Sequence, residues 1–348
     1  MKTTKINAFM YFNVLFMLSI SANAQNNAVI EDVIVTAEKR SESLQDISQS
    51  VTAISDSEVE SKNIETFVDL SSIVPGLTVA KNEGYKTVIS IRGVGNETNQ
   101  NAIAAPSVAF HMDGIFIASP FSLQTDFIDI DGIEVLRGPQ GTLFGQNSTG
   151  GAINVISKKP VIGEKSAKAD ITFGSYNLTK FRSSQNLPIN DNVATRLSIS
   201  ATKRDGFSEN VSTGQDLDDA NNLSVRSDWL IDLDDFSSLR VFGQYFEVDR
   251  NGAAIRGIDD PTIDTRKLSQ DTISNHELTS LEIGLIFERD LGFANLKVMA
   301  STQEDDISVT RDNDRHNFGD PVLVIPGLEG TTYQRAEFTP ETSLVETK

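Results

Sequence analysis

From about residue 167 onward, apolar and polar side chains alternate in segments of roughly ten residues. Val193, Thr195, Leu197, Ile199 and Ala201 fall on one face; Arg196, Ser198, Ser200 and Thr202 fall on the other. Leu223, Val225 and Trp229 oppose Ser224, Arg226, Asp228 and Asp232. Leu281, Ile283, Leu285 and Phe287 oppose Ser280, Glu282 and Glu288, and Ala294, Leu296, Val298 and Ala300 oppose Asn295, Lys297 and Ser301. A period of two is that of a β-strand with one apolar face. The pattern predicts strands near 168–174, 178–187, 193–202, 223–232, 238–248, 279–288 and 294–303, with an eighth beginning near 331. The second and fifth of these alternate poorly. Connectors 188–192, 233–236 and 290–293 are short, whereas 203–222, 249–278 and 304–330 are long. Short turns at one end and long loops at the other are how a transmembrane β-barrel is built, with lipid outside and a polar lumen. A soluble antiparallel sheet on one core shares the period but has no reason to share the loop rule. The short connector 175–177 departs from that rule.

Residues 25–160 have a different texture, that of a small α+β domain. A strand is expected over 44–54 and a helix over 57–70, where Val59, Ile64, Phe67, Val68 and Leu70 recur at helical spacing until Pro75-Gly76 stops them. Short strands are expected at 77–79 and 88–91, and a hairpin at 108–117 turning on Asp113-Gly114. Ile133-Glu134-Val135-Leu136-Arg137 then enters a loop with Gly138, Gly141 and Gly145, and a second strand leaves it after Gly150-Gly151. Glycine permits positive φ and close backbone approach, so such a loop can pack with little side chain between it and its surroundings. It is not a phosphate cradle: neither Gly-x-Gly-x-x-Gly nor Gly-Lys-Ser/Thr is present. Gly-x-Ser-x-Gly is also missing, and no catalytic constellation is seen.

The run from Ile133 to Gly151 resembles the signature of the plug domain of TonB-dependent outer-membrane transporters. That resemblance implies an α+β plug domain followed by an antiparallel transmembrane β-barrel, which in the family has ~22 strands. Glu31, Asp32, Val33, Ile34, Val35, Thr36 and Ala37 resemble the TonB box, which pairs with the energy-coupling protein TonB by adding a strand to a sheet edge. Arg92-Gly93 and Arg137-Gly138 each follow a strand, and the resemblance implies that Arg92 and Arg137 anchor the plug to glutamates on later barrel strands. The implied organisation is a signal peptide over 1–24, an N-terminal segment with the box over 25–43, a plug over 44–160 and the first barrel strands over 161–348. The stretch after residue 160 is too short for ~22 strands of ~10 residues with their loops. The barrel is therefore expected to be incomplete and the chain to be the N-terminal part of a longer protein. The implied function of that parent is TonB-dependent uptake of a scarce, bulky nutrient, a ferric siderophore above all. Its partners are then TonB, outer-membrane lipid and the cargo. Cargo is expected near 96–105 and 119–124.

Composition narrows the address. Lys2 and Lys5, an apolar run over 8–20 and Ser21-Ala22-Asn23-Ala24 have the layout of a secretory leader cleaved near Ala24, which suits a periplasmic, secreted or barrel-inserted protein; the resemblance implies the outer membrane of a Gram-negative bacterium. The formal charge of −19 argues against nucleic acid as a partner. Absence of cysteine excludes disulfides and thiol chemistry, and His111, His276 and His316 lack metal-ligand spacing, so no cofactor is expected. The long connectors are acidic without the calcium-loop pattern and read as a solvated rim. Two other readings remain open on the residues alone: a periplasmic soluble binding protein, and a non-functional remnant.

Overall fold

The β-branched runs around the glycine loop are too apolar for a one-sided sheet, and the computed structural model buries them on both faces. It describes residues 34–35, 42–43, 49–82, 86–95, 106–117, 119, 122–124, 126–257, 260–312, 315, 331–337 and 341–347. Residues 33–348 form one compact unit.

Six principal strands belong to the α+β domain: β1 (Val51–Ser55), β2 (Leu77–Asn82), β3 (Lys86–Ile91), β4 (Val108–Met112), β5 (Ile130–Arg137) and β6 (Gly151–Ser157). The main sheet has the order β1-β5-β6-β4, closed at one edge by the short strand Ile115–Phe116. Only β6 and β4 run parallel. Ile153 stands opposite Val135 and Phe110, and Asn154 stands opposite Glu134 and His111. The period of two therefore sorts the side chains cleanly. Phe110, Ile133, Val135, Ile153 and Val155 face the main core with Phe67 and Leu70. Ala109, Leu136 and Ala152 face Phe144 on the other side. Phe67 meets Phe110 and Phe127 edge-on, at centroid distances of 5.1 and 4.7 Å.

The single helix expected over 57–70 is two: α1 (Asp56–Ser61) and α2 (Phe67–Leu70). Local polar groups cut it. Ser55 and Glu58 cap α1 reciprocally, and Asp69 Oδ2 accepts the N–H groups of Thr66 (2.8 Å) and Glu65 (3.0 Å). Asn63, at φ 51°, turns the chain between them. Such side-chain bonds compete with helix continuation. The strand expected over 44–54 begins only at Val51, and 44–48 lie outside the described residues. In the glycine loop, α3 (Gly141–Phe144) ends at Gly145, whose φ of 74° reverses the chain. Gly151 serves close approach instead: a Cβ there would overlap the Leu136 carbonyl oxygen and lie 2.8 Å from Ile91 Cδ1.

The C-terminal region is one antiparallel sheet in strict sequence order. Its strands are β7 (Ser166–Gly174), β8 (Leu178–Asn190), β9 (Val193–Arg204), β10 (Ala220–Asp234), β11 (Ser237–Arg250), β12 (Asn275–Asp290) and β13 (Asn295–Asp312). Two further segments, Thr331–Glu337 and Glu341–Thr347, pair along the same edge of β13. Every strand expected from alternation is present, but several are longer: β10, β12 and β13 have 15, 16 and 18 residues. A membrane strand needs only ~9–11 residues, and the backbone ladder continues past the apolar band, where alternation no longer marks it. The sheet is open among the described residues, with β7 paired only to β8.

Its polarity is inverted relative to a soluble sheet. On β12, Leu281, Ile283 and Leu285 are 44%, 48% and 37% exposed, while Ser280 and Glu282 are buried. Trp229, Ile171 and Phe173 are exposed likewise. Apolar outside and polar inside is the arrangement of a strand that meets lipid. The short turns add exposed Ile189, Leu233, Phe236, Leu291 and Phe293.

Candidate functional site

The polar face of β8 to β13 is largely buried because the α+β domain sits against it, whereas β7 is mostly exposed. The most deeply enclosed contact begins at Asp113-Gly114, the turn between β4 and Ile115–Phe116, where both residues have positive φ (54° and 84°). That is the geometry of a two-residue hairpin. It drives the Asp113 carboxylate into the strand wall. Ser157 donates to it through its N–H (2.9 Å) and its hydroxyl (2.8 Å). From β10, Arg226 Nη2 donates to Asp113 Oδ2 at 2.7 Å; from β11, Arg240 Nη2 lies 3.4 Å from the same oxygen. Asp228, two residues along β10, accepts from Arg240 Nη2 at 2.5 Å and from Arg226 Nη2 at 3.3 Å. Two guanidiniums and two carboxylates thus neutralise one another in a buried cluster. Burial raises the Asp113 carboxyl, but Arg240 and Arg226 outweigh it and hold the group below its usual value.

Packing fixes the donors. The Arg226 guanidinium lies 4.2 Å from the Phe242 ring centroid, and its Nη1 donates to Gln244 at 2.9 Å. Phe242 fits because Gly284 faces it across the sheet; a Cβ at Gly284 would come within 2.5 Å of the ring. Ile115, next to the turn, packs on Phe242, Ile286 and Met299. Behind the turn, Gly114 N–H donates to Asn154 Oδ1 (3.1 Å), and Asn154 Nδ2 donates to Glu134 (3.2 Å). The anchor is therefore bonded through to the signature strand β5.

Other contacts repeat this polarity. Arg196 of β9 clasps Asp129, with Nη2 to Oδ1 at 2.7 Å, and the Ser198 hydroxyl donates to Asp129 at 2.8 Å. Lys180 and Arg182 of β8 both pair with Glu65, and Lys168 of β7 pairs with Glu60. Carboxylates come from the α+β domain and cations from the strands. One contact near the opposite edge is different: Ser122 donates to Asp305 of β13 at 2.7 Å, and Gln303 donates to Ser122 at 2.6 Å.

Of the residues singled out in the sequence, Ile34–Val35 form a short strand against Glu42–Ser43; the rest of the segment 31–37 lies outside the described residues. Arg92 is exposed at φ 53°, its N–H bonded to the Gly76 carbonyl at 2.7 Å. Arg137 ends β5 with a buried Nε that has no hydrogen-bond partner. Neither arginine makes an ion pair among the described residues. Gly138, Gly141 and Gly145 have open space around them, whereas Gly150 and Gly151 are crowded against Val94 and Leu136. The anchor residues Asp113, Arg226 and Arg240 went unrecognised in the sequence. Arg226 and Asp228 on the polar face of one strand were the available signal, because charges at i and i+2 on a buried face need partners.

A family model described as the TonB-dependent Receptor Plug Domain matches residues 43–152. The pesticin receptor of Yersinia pestis is 31% identical over 209 residues, covering 58% of this chain and 30% of that protein. The iron-regulated outer membrane virulence protein of Vibrio cholerae serotype O1 is 34% identical over 151 residues, covering 41% of this chain and 22% of that protein. The chain thus spans less than a third of the length of these relatives. Among solved structures, the ferric yersiniabactin uptake receptor FyuA from Yersinia pestis superposes with a TM-score of 0.67 at 22% identity, over 75% of this chain and 42% of that one. Residues 43–152 are a TonB-dependent receptor plug domain, and the antiparallel strands that follow match those of TonB-dependent receptor barrels.

Proposed function

We propose that this protein, within a complete barrel, is an outer-membrane transporter that takes up a ferric siderophore at the expense of energy delivered through TonB. The observation that carries this reading is the junction itself. A plug is held by buried ion pairs against strands whose apolar side faces outward. A soluble binding protein would have to leave Leu281, Ile283 and Leu285 in water. Iron appears in the names of a relative and of a structural neighbour, and that is the support for iron as cargo.

The segment Glu31 to Ala37 supplies a coupling handle: its β-branched Val33, Ile34, Val35 and Thr36 favour the extended state that strand addition needs. A leader cleaved near Ala24 would deliver the chain to the periplasm and leave this handle close to the new N-terminus. Arg137, with its unpartnered Nε, and Arg92 serve as further anchors to carboxylates on strands beyond those described. No bond of the cargo is made or broken.

The test is fractionation joined to uptake. The full-length protein should sediment with the outer membrane, migrate faster on gels when unheated, and confer iron-55 uptake from ferric siderophores that a protonophore abolishes. A soluble periplasmic product, or uptake indifferent to the protonophore, would overturn the reading.

A further inference from the structure

We infer that the cargo is a multiply anionic, aromatic ferric chelate, drawn inward along a row of cations that runs from the long-loop end of the strands to the plug; the inference rests on the transport reading above. Three distant segments meet at the outer end. Tyr176 sits in the connector 175–177, Phe207 just past β9, and Arg266 in the loop between β11 and β12. The two rings are 5.8 Å apart. Arg266 Cζ lies 5.8 Å from the Tyr176 centroid and 5.7 Å from that of Phe207, and Arg204 Cζ lies 4.9 Å from the Phe207 centroid. Arg266 also donates to the Tyr176 hydroxyl. Deeper in, Arg204 is the electrostatic neighbour of Arg250 and of Lys81 on the plug strand β2. Arg250 Nη2 reaches Gln124 of the plug at 3.4 Å.

None of Lys81, Arg204, Arg250 and Arg266 forms an ion pair within 4.0 Å among the described residues. The Nε atoms of Arg204 and Arg250 are buried without a hydrogen-bond partner. At the plug–wall junction the opposite holds, with Lys180, Arg182, Arg196, Arg226 and Arg240 each matched to a carboxylate. Acid is not scarce: the chain has 49 Asp and Glu against 30 Lys and Arg. Asp126 and Asp219 lie in the field of Arg250 but do not close on it. Loop carboxylates are engaged elsewhere: Glu209 pairs with Lys267 at 2.9 Å and Asp260 with Arg256 at 3.7 Å, and others serve backbone and hydroxyl groups. Asp218 accepts from Ala254 N–H (3.1 Å) and Ser208 (2.6 Å), and Asp260 accepts from Ser269 N–H (2.9 Å). Arg204 Nη2 donates to the Asp218 carbonyl, but the buried Nε donors of Arg204 and Arg250 have no acceptor, and such donors cost free energy. A ligand carrying several oxyanions would supply those acceptors, and its aromatic rings would stack where the guanidiniums and Tyr176 and Phe207 already present flat faces. A neutral chelate of the same size gains none of the charge-assisted bonds.

The test uses the full-length protein in outer-membrane vesicles and two iron-55 probes: triply anionic ferric tris-catecholate and a neutral ferric tris-hydroxamate. Wild type should bind the anionic probe at least about tenfold more tightly. Arg204→Gln and Arg266→Gln should each weaken it by about five- to tenfold while leaving the neutral probe unchanged, with heat-modifiable migration showing that both variants are folded. Equal or tighter binding of the neutral probe, or arginine variants that still bind the anion as wild type does, would overturn the inference and leave the transport reading standing. Failure of wild type to bind either probe would overturn both.

Discussion

Replacing Asp113 by alanine would leave Arg226 and Arg240 to share Asp228 alone inside the junction. Breaking a buried pair by removing one member costs about 3–5 kcal/mol. Asp113→Ala is therefore expected to loosen the plug, read as faster proteolysis of the plug in a barrel that still migrates as folded. The pH dependence has a definite sign. Asp113 is held below the ordinary aspartate value of about 3.9, so its contribution is complete above that pH and is lost as pH falls through the lower folded value. Protection of the plug should be flat from neutral pH down to about 4 and fall only in stronger acid. The glycine loop gives a second contrast. Gly151→Ala meets the Leu136 carbonyl and should destabilise by about 2–4 kcal/mol, while Gly141→Ala enters open space and should change stability by less than about 0.5 kcal/mol, both read by thermal unfolding. The glycines were legible in the sequence, but their separate duties were not. The anchor was not legible either: Asp113 read as a turn residue, and its partner Arg226 is 113 positions away. Local patterning does not show a pairing over that distance.

Strands were the most legible elements, because a face that meets lipid and a face that meets the plug impose alternation over the whole span. The expected positions of β9, β10, β12 and β13 were recovered, with ends extended mostly on the loop side and by two residues at the turn side of β10 and β12. β8 and β11 alternate poorly because their inner faces carry plug contacts of mixed size, with Lys180 and Arg182 on one and Arg240 and Phe242 on the other. The helix over 57–70 was misread as continuous, since its apolar spacing persists through a break made by capping side chains. The outward face carries its own prediction. Ile283→Arg places a charge on the exposed side of β12 and should cost about 2–4 kcal/mol near the bilayer midplane, seen as loss of the heat-modifiable species. Ile283→Leu at the same site should leave assembly unchanged. Equal tolerance of both substitutions would mean that this face does not meet lipid.

At the scale of the molecule, the plug carboxylates Glu65, Asp113 and Asp129 meet cations of the strand wall, and the chain approaches the plug through a segment suited to strand addition. Plug strand β1 is the edge of its sheet, paired only to β5, and thirteen residues (38–50) separate it from that segment. β1 pairs with the signature strand, which is bonded through Glu134, Asn154 and Gly114 to the Asp113 anchor. The relatives are several times longer than the matched region, so the transport account concerns the protein with its barrel complete. The most direct test is iron-55 uptake by cells making the full-length protein, comparing wild type with Ile34→Pro, which cannot donate or adopt the paired strand at that position. The account predicts that Ile34→Pro still reaches the outer membrane and still binds ferric chelate, but loses uptake to the level of cells lacking TonB. Undiminished uptake by Ile34→Pro, or by wild type in cells without TonB, would contradict it.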